Sequence, residues 1–273
     1  MENHPFDLAL RLLPLASDVY AGATTDAYWN MVGPFGGVLA ATALNAVLQH
    51  PALLGAPISL TVNYAGQIAA GAFKLSATPR RTNRSTQHWL IELLQTNKMG
   101  VEEVMLTASA ITATRRATWS SDDATLPTVS RPNNLPTVQP MGSVEWVKRY
   151  DMRFIEGMFP VEWDGKGDTS LSQLWVRETP PRAVDFCSLA AMADIFFPRV
   201  YLRRALRVPA GTVSMTVYFH ADAAQLTQSG TGFLLGQARA QAFRNGFFDQ
   251  TAQLWNEAGL LLATTHQIVY YKE

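Results

Sequence analysis

Two short segments of the chain alternate between apolar and polar residues. Residues 57–64 and residues 212–219 each place an apolar side chain at every second position, with Val213 on the apolar face of the second segment. A period of two residues is typical of a β-strand with one buried face. When the two segments are aligned, Thr61 matches Thr216 and the apolar positions coincide. Both segments are therefore predicted to be half-buried strands, and their match indicates an internal repeat.

The elements around these two strands are predicted in the same order. Residues 97–100 and 256–259 are Asn-x-x-Gly segments between strand-like runs, and their glycines supply the positive φ that closes a hairpin turn. Upstream of the alternating strands, runs of small apolar residues at 36–44 and 188–198 predict helices. The order helix, strand, strand, turn, strand therefore occurs twice. This order favours a duplicated α+β chain over two unrelated α+β units.

A polar segment separates the two halves. Between about residue 115 and residue 145, Ser, Thr, Asp, Asn and Pro dominate and the hydrophobic periodicity disappears. We therefore predict a domain at 1–115, a linker at 116–145 and a second domain at 146–273. A long apolar helix needs cover on most sides, which a strongly curved antiparallel sheet provides. Two such units side by side would pair into one continuous sheet, with a binding site in the groove between them.

Composition and charge restrict the partners and the compartment. The 273 residues include 22 Lys and Arg and 22 Asp and Glu, so no net charge favours nucleic acid or an anionic membrane. The single cysteine, Cys187, excludes an internal disulfide and a thiolate metal site. The most apolar window, 35–48, is shorter than the roughly 20 residues of a membrane-spanning helix. Since the chain begins without a signal-like segment, we expect a cytoplasmic protein.

Two polar residues stand out among apolar neighbours. Asp194 lies in an apolar helical run, where an unpaired charge costs several kcal/mol. Gln267 lies in the last predicted strand, where its amide would hold a water or a carbonyl oxygen. A solvated helix position and an ordinary polar strand face are the alternatives. In the repeat, Gln267 corresponds to Ala108 and Asp194 falls near Leu44 or Asn45, as expected if one half alone retains a reaction centre.

Basic residues gather in two segments. Arginine binds phosphate bidentately, and solvated surface positions are the alternative for each of these residues. They are Arg80, Arg81 and Arg84 in the first half and Arg199, Arg203, Arg204 and Arg207 in the second. Gly36 and Gly37 would place backbone N–H groups at a helix start, where an anion or a thioester carbonyl is stabilised. The histidines lack metal-ligand spacing, and neither a G-x-G-x-x-G fingerprint nor a G-x-S-x-G elbow is present.

Five segments in this order resemble one known family. They are the run Gly-Pro-Phe-Gly-Gly-Val-Leu-Ala-Ala at 33–41, the strand 59–64, Asn-Arg-Ser at 83–85, Ala-Met-Ala-Asp at 191–194 and Thr-Thr-His-Gln at 264–267. The set resembles the double hotdog acyl-CoA thioesterases of the thioesterase II type. The resemblance implies an α+β tandem hotdog fold, with two curved antiparallel sheets each wrapped around a central helix. It also implies hydrolysis of acyl-CoA thioesters in fatty acid metabolism, without a metal or redox cofactor.

The resemblance implies a set of site residues as well. The family's catalytic residues correspond to Asp194, to Thr212 at the start of the strand that follows the second helix, and to Gln267 on the last strand. Ser214 is the alternative to Thr212, because it lies two residues along on the same predicted strand face. Contacts to the substrate are expected from Gly36, Gly37, Arg84 and Ser85. The chain departs from the family after Tyr64, where an Arg-Pro pair is usual and Ala-Gly stands here.

The chemistry of such a site is coherent. Thioester hydrolysis needs a water in line with the carbonyl carbon, a base, and donors for the developing oxyanion. Asp194 would take the proton of the water, while Gln267 and Thr212 would hold that water. Backbone N–H groups at a helix start would polarise the carbonyl. Phe196, Phe197 and Trp255 are candidates for the wall of an acyl tunnel, and core packing is the alternative for each.

Two other functions compete with hydrolysis. An acyl-CoA-binding protein of the same fold would bind substrate without turning it over. A hydratase or dehydratase on this kind of fold relies on an Asp and a His a few residues apart, and the five residues after Asp194, Ile-Phe-Phe-Pro-Arg, include no His. Since hotdog sheets often associate edge to edge, we expect a homodimer or a higher homo-oligomer by analogy.

Overall fold

The computed structural model describes residues 4–138 and 144–273 of the chain. In these two ranges the α-helices are α1 (Pro5–Ala9), α2 (Gly36–Leu48), α3 (Phe186–Met192), α4 (Arg199–Arg204) and α5 (Ala223–Ser229). The strands of the first half are β1 (Leu13–Ala16), β2 (Val19–Ala23), β3 (Ala56–Tyr64), β4 (Ala72–Thr82), β5 (Thr86–Thr96) and β6 (Glu102–Ala113). Those of the second half are β7 (Tyr150–Glu156), β8 (Ser172–Glu178), β9 (Ala210–Phe219), β10 (Leu234–Arg239), β11 (Phe243–Arg244), β12 (Phe247–Asn256) and β13 (Leu261–Tyr271).

The strands form one continuous antiparallel sheet. Its order is β1-β2-β4-β5-β6-β3-β9-β13-β12-β10-β8-β7, and the short β11 pairs with β12 outside this path. The pair β3 and β9 joins the two halves edge to edge. Helix α2 packs against β3, β4, β5 and β6, and it also packs against α3. The α+β architecture expected from the sequence is therefore confirmed, with the sheets of the two halves joined into one.

The junction between the halves has two-fold symmetry in its register. Thr61 pairs with Thr216, and their hydroxyl oxygens lie 3.0 Å apart. On either side of this pair, Ser59 pairs with Tyr218 and Asn63 pairs with Ser214. The sequence alignment matched Thr61 with Thr216, so each of these threonines meets its own counterpart. A self-complementary contact of this kind is typical of an isologous interface and supports duplication of one unit.

Both halves carry the same irregularity in their central strand. In β9 the pairing with β13 skips Val213, and in β3 the pairing with β6 skips the equivalent residue Ile58. A β-bulge of this kind reverses which face the preceding residues occupy. Val213 is consequently 37% exposed, so the prediction that it lies on the buried face is wrong.

The second core helix is shorter than the sequence suggests. We expected a helix over 188–198, whereas α3 ends at Met192 and α4 begins only after Pro198. Proline disfavours helical geometry in the residue before it, which separates the two helices. Asp194 therefore lies in the turn that follows α3, where its backbone N–H donates to the carbonyl oxygen of Ala191 at 3.1 Å.

The polar segment between the halves is attached to the sheet. Its described part contains a single 3₁₀ turn, Pro132–Asn134, and no strand. Leu126 and Val129 of this segment pack against Trp175 and Trp255 on the face of the sheet away from the helices. The indole N–H of Trp175 donates to the carbonyl oxygen of Ser130 at 2.8 Å. The boundaries 1–115, 116–145 and 146–273 stay predictions, and residues 139–143 of the proposed linker lie outside the described residues.

No helix in the described parts of the chain has the length and apolar character needed to cross a membrane.

Candidate active site

A cavity of about 540 Å³ opens where the two halves meet. The first half contributes Gly36, at the start of α2, and Tyr64, at the end of β3. The second half contributes Asp194, Thr212 and Gln267. The structure therefore brings the three predicted catalytic residues to one cavity, together with one of the two glycines. The volume is in the range of pockets that enclose small organic ligands.

Apolar side chains form most of the remaining wall. Phe35 stacks on Trp146 with ring centres 4.2 Å apart, and Phe159 stacks on Phe197 at 4.0 Å. Phe196 and Phe197 line the cavity as the sequence suggested. Trp255 does not, because it belongs to the cluster beneath the linker on the opposite face of the sheet. A wall of this kind suits an apolar chain.

Asp194 is held on two sides. Its Oδ1 accepts a hydrogen bond of 2.9 Å from Nε2 of Gln267 on β13. The backbone N–H of Gly37, in the first turn of α2, also hydrogen-bonds the carboxyl group. The positive end of the helix dipole lies there, which favours a negative charge. The carboxyl group is thus fixed between the helix of one half and the last strand of the other.

Burial has the largest effect on the pKa of the Asp194 carboxyl group. Removal from water raises the pKa of Asp194 to about 7, although the hydrogen bonds from Gln267 and Gly37 act in the opposite direction. The same burial, with the Asp194 carboxylate nearby, raises the pKa of the Tyr64 hydroxyl well above its usual value. Asp194 is consequently poised to exchange a proton near neutral pH, while Tyr64 stays protonated.

The two glycines at the start of α2 allow this close approach. A Cβ at Gly36 would lie 2.7 Å from Oδ2 of Asp194, and the carbonyl oxygen of Gly36 accepts a hydrogen bond of 2.9 Å from the Tyr64 hydroxyl. A Cβ at Gly37 would overlap the carbonyl oxygen of Ala191 at the end of α3. Gly36 lines the cavity and Gly37 lies behind it. Both residues therefore support the Asp194 carboxyl group, so the anion at the expected helix start is a side chain of the protein itself.

The bulge at Val213 separates Thr212 from Ser214. Thr212 lines the cavity. Ser214 faces the other side of β9, where its hydroxyl donates to Oδ1 of the exposed Asn63 at 2.9 Å. The expectation that Thr212 and Ser214 share a strand face is wrong, because the bulge lies between them. Of these two residues, Thr212 is the one near Asp194.

Gln267 is 4% exposed and faces inward from β13. Its Nε2 lies within hydrogen-bonding distance of Oδ1 of Asp194, the carbonyl oxygen of Ala193 at 3.3 Å and the sulfur of Met215 at 3.3 Å. In the repeat, Gln267 corresponds to Ala110 rather than Ala108, because Met215 pairs with Gln267 and the equivalent Leu60 pairs with Ala110. The correction changes no conclusion, since both alanines are small and apolar.

Arg84 and Ser85 lie away from the cavity. They belong to the turn between β4 and β5, and the carbonyl oxygen of Ser85 accepts from the N–H of Thr114 just past the end of β6. At that end of the sheet β3 begins, whereas Tyr64 at its other end lines the cavity. A nine-residue strand spans roughly 25 Å at about 3.3 Å per residue. The structure therefore does not bring these two predicted substrate contacts to Asp194.

The arginines of α4 are engaged with protein groups. Arg199 is fully buried, and burial lowers the pKa of its guanidinium to about 9. Its donors bind backbone carbonyl oxygens and the hydroxyl of Ser172 at 2.7 Å. Arg203 donates to the carbonyl oxygen of Gly167 at 2.8 Å, and Arg204 pairs with Glu273 at 2.6 Å. Arg199 is therefore a structural residue and not a phosphate ligand.

The sequence did not identify Gln250 as a residue of the cavity. Gln250 on β12 is 2% exposed, lines the cavity and pairs with Gln267 on β13. The inward positions of β12 are Phe248, Gln250, Ala252 and Leu254. A single amide in an otherwise apolar alternating row was the signal that would have identified it. Among the described residues, no three His, Cys, Asp or Glu side chains are placed to hold a metal ion.

Comparisons with known proteins identify the family of the chain. The model of the acyl-CoA thioesterase C-terminal domain matches residues 122–271, and the model of the N-terminal domain matches residues 25–113. The chain belongs to the acyl-CoA thioesterase family. Together, the two matches to this family include the helix start at Gly36 and the residues Asp194, Thr212, Gln250 and Gln267. A search among curated proteins finds no match.

Solved structures show the same fold along the whole chain. A hot dog fold protein of unknown function from Alicyclobacillus acidocaldarius is 41% identical, with a TM-score of 0.92 over 99% of each chain. The acyl-CoA thioesterase II TesB2 from Mycobacterium marinum has a TM-score of 0.77 at 18% identity over 98% of each chain. The dehydratase domain of RzxB from Pseudomonas fluorescens has a TM-score of 0.57 at 12% identity over 99% of each chain. The tandem hotdog fold predicted from the sequence is confirmed.

Proposed function

We propose that this protein hydrolyses an acyl-CoA to the free acid and CoA. One observation carries the proposal: a half-buried carboxyl group, Asp194, is held by Gln267 and by the start of α2 in an otherwise largely apolar cavity. A carboxylate in such a place costs free energy that a structural role does not recover. The membership of the chain in the acyl-CoA thioesterase family supports the same reaction.

The proposed mechanism uses Asp194 as a general base. Its carboxylate takes a proton from a water held near Thr212, and the water oxygen attacks the carbonyl carbon of the thioester. The carbonyl oxygen takes up the electron pair and becomes an oxyanion. When the oxyanion collapses, the carbon–sulfur bond breaks, and the CoA thiolate receives the proton from Asp194. Gln267 acts as a positioning residue, since its Nε2 holds Oδ1 of Asp194 at 2.9 Å.

The direct test is release of free thiol from a panel of acyl-CoAs by the purified protein. The panel runs from acetyl to palmitoyl and includes aromatic acyl groups, because the cavity wall is rich in aromatic side chains. We expect hydrolysis of at least one member, with a preference set by the length and width of the acyl group. Saturable binding across the panel with no thiol release would instead identify an acyl-CoA-binding protein of this fold.

The pKa of Asp194 predicts how the rate of acyl-CoA hydrolysis depends on pH. The active form of the base is the carboxylate, and the pKa of Asp194 is about 7. We therefore expect kcat/KM to be half its maximum near pH 7, to approach a constant value about one pH unit above it, and to fall about tenfold for each pH unit once the pH is well below 7. The measurement is kcat/KM from pH 5 to pH 9 at constant ionic strength. A rate that stays constant down to pH 5 would mean that the base has the pKa of an ordinary carboxyl group.

Other expectations from the sequence stay predictions. They are the contact of Arg84 and Ser85 with the CoA part of the substrate, a homodimer or higher homo-oligomer, a location in the cytoplasm and a place in fatty acid metabolism.

A further inference from the structure

The donors of Gln267 are already in use. A primary amide nitrogen carries two hydrogens. In Gln267 this nitrogen lies 2.9 Å from Oδ1 of Asp194 and 3.3 Å from the carbonyl oxygen of Ala193. Both acceptors belong to the segment that follows α3. Gln267 therefore has no N–H left for an oxygen atom of the substrate.

Two donors near the start of α2 are also engaged with protein groups. The N–H of Gly37 hydrogen-bonds the carboxyl group, and the hydroxyl of Tyr64 donates to the carbonyl oxygen of Gly36. Neither donor is then available for a second negative oxygen. Thioester hydrolysis places a negative charge on the carbonyl oxygen, and a buried site needs an N–H or O–H aimed at that charge.

The side-chain amide of Gln250 is not used in a hydrogen bond of this kind. It lies directly opposite Gln267 in the pairing of β12 with β13, so the two Cβ atoms are about 5 Å apart. The side chain faces the cavity and is 2% exposed. Its amide makes no hydrogen bond to another described side chain, and it is not one of the fully buried polar groups without a partner, so it opens to the cavity. A polar group that opens into an otherwise largely apolar cavity is placed to bind a polar atom of a ligand.

We infer that the side-chain amide of Gln250 binds the thioester carbonyl oxygen of the substrate and stabilises the oxyanion. This inference rests on the proposed hydrolysis of acyl-CoA. Gln267 holds the base, and Gln250, one strand further along the sheet, faces the reacting carbonyl from the same cavity floor. Gln267 thus positions the carboxylate that takes the proton, and Gln250 binds the oxygen on which the negative charge develops.

The test is Gln250→Met, which keeps the length and approximate volume of the side chain and removes both amide hydrogens. Loss of one oxyanion donor lowers kcat by about 10²- to 10³-fold. We expect this loss in kcat with little change in KM, because the bond strengthens as charge develops on the oxygen. The matched control is Gln253→Met on the same strand, since Gln253 faces the opposite side of the sheet and is absent from the cavity wall. We expect the control to keep the wild-type kcat.

A binding measurement separates this function from a structural one. A CoA thioether has no carbonyl oxygen, whereas the ketone analogue, with a methylene group in place of sulfur, retains it. We expect Gln250→Met to bind the thioether as the wild type does and to bind the ketone more weakly, with an unchanged thermal midpoint. Equal loss for both analogues would show that Gln250 only shapes the cavity.

The remaining outcomes are also decisive. An active wild type together with a fully active Gln250→Met would overturn this inference and leave the proposed function intact. A variant that loses turnover only with acyl groups that carry a hydroxyl or keto substituent would place the amide on the acyl chain and also overturn it. A wild type that hydrolyses no member of the panel would remove the proposed function and this inference together.

Discussion

Replacement of Asp194 by asparagine is expected to lower kcat by about 10²- to 10⁴-fold, the usual contribution of a general base. Asparagine keeps the shape of the side chain and an oxygen that accepts from Gln267. It cannot take the proton of the attacking water. The fold should persist, because a group whose pKa is raised by burial destabilises the folded state when it is ionised. At pH 8 the variant should therefore be at least as stable as the wild type.

The measurement combines thiol release with thermal unfolding at pH 8. Asp168→Asn is a matched control, since Asp168 is exposed and lies outside the cavity wall. We expect the wild-type kcat and thermal midpoint for this control. If Asp194→Asn unfolds at the wild-type temperature or above and still turns over at the wild-type rate, Asp194 is not the base.

Alanine at Gly36 should lower activity and alanine at Gly37 should lower stability, although the residues are adjacent and the chemical change is the same. At Gly36 the added Cβ meets a carboxylate oxygen of Asp194 at 2.7 Å, and this side chain can rotate away. At Gly37 it meets the backbone carbonyl of Ala191, which can move only with α3. Overpacking against a backbone costs about 1 to 3 kcal/mol. A rotated carboxylate is no longer aligned with the reacting water.

We therefore expect Gly36→Ala to lower kcat by about 10- to 100-fold, since small displacements of a catalytic group have effects of this size. Its stability should match or exceed that of the wild type, because alanine favours a helix by up to about 1 kcal/mol over glycine. Gly37→Ala should lower the free energy of unfolding by about 2 kcal/mol. Urea unfolding and thiol release of both variants provide the comparison. Equal losses of stability in the two would contradict the packing described here.

The sequence identified most of the elements and the chemical core of the site. Strict alternation located β3 and β9 within two residues of their observed ends, and the Asn-x-x-Gly turns are formed with Gly100 at φ 80° and Gly259 at φ 90°. Asp194 was recognised because a charge is costly in an apolar run. These features depend on local pattern, which a single chain displays directly.

The errors concern features that depend on a neighbouring strand or helix. The bulge at Val213 is defined by the pairing of β9 with β13, and a strand read alone shows only its period. Gln250 shows the same limit, since cavity lining depends on which strands become neighbours. The resemblance to a family assigned residues by order along the chain. It could not show that Arg84 lies at the far end of β3.

The contact between Thr61 and Thr216 has a consequence for how the two halves can change over time. In a dimer of identical chains, every substitution near the axis appears twice, so both copies of a site must tolerate it. One chain that carries both copies is free of this constraint. Where the second half has Thr212 and Gln267, the equivalent residues of the first half are Pro57 and Ala110, and where the first half has Tyr64 the second has Phe219. Because the copies are joined in one chain, the first half now positions the carboxylate of the second half and no longer has the residues of a reaction centre of its own.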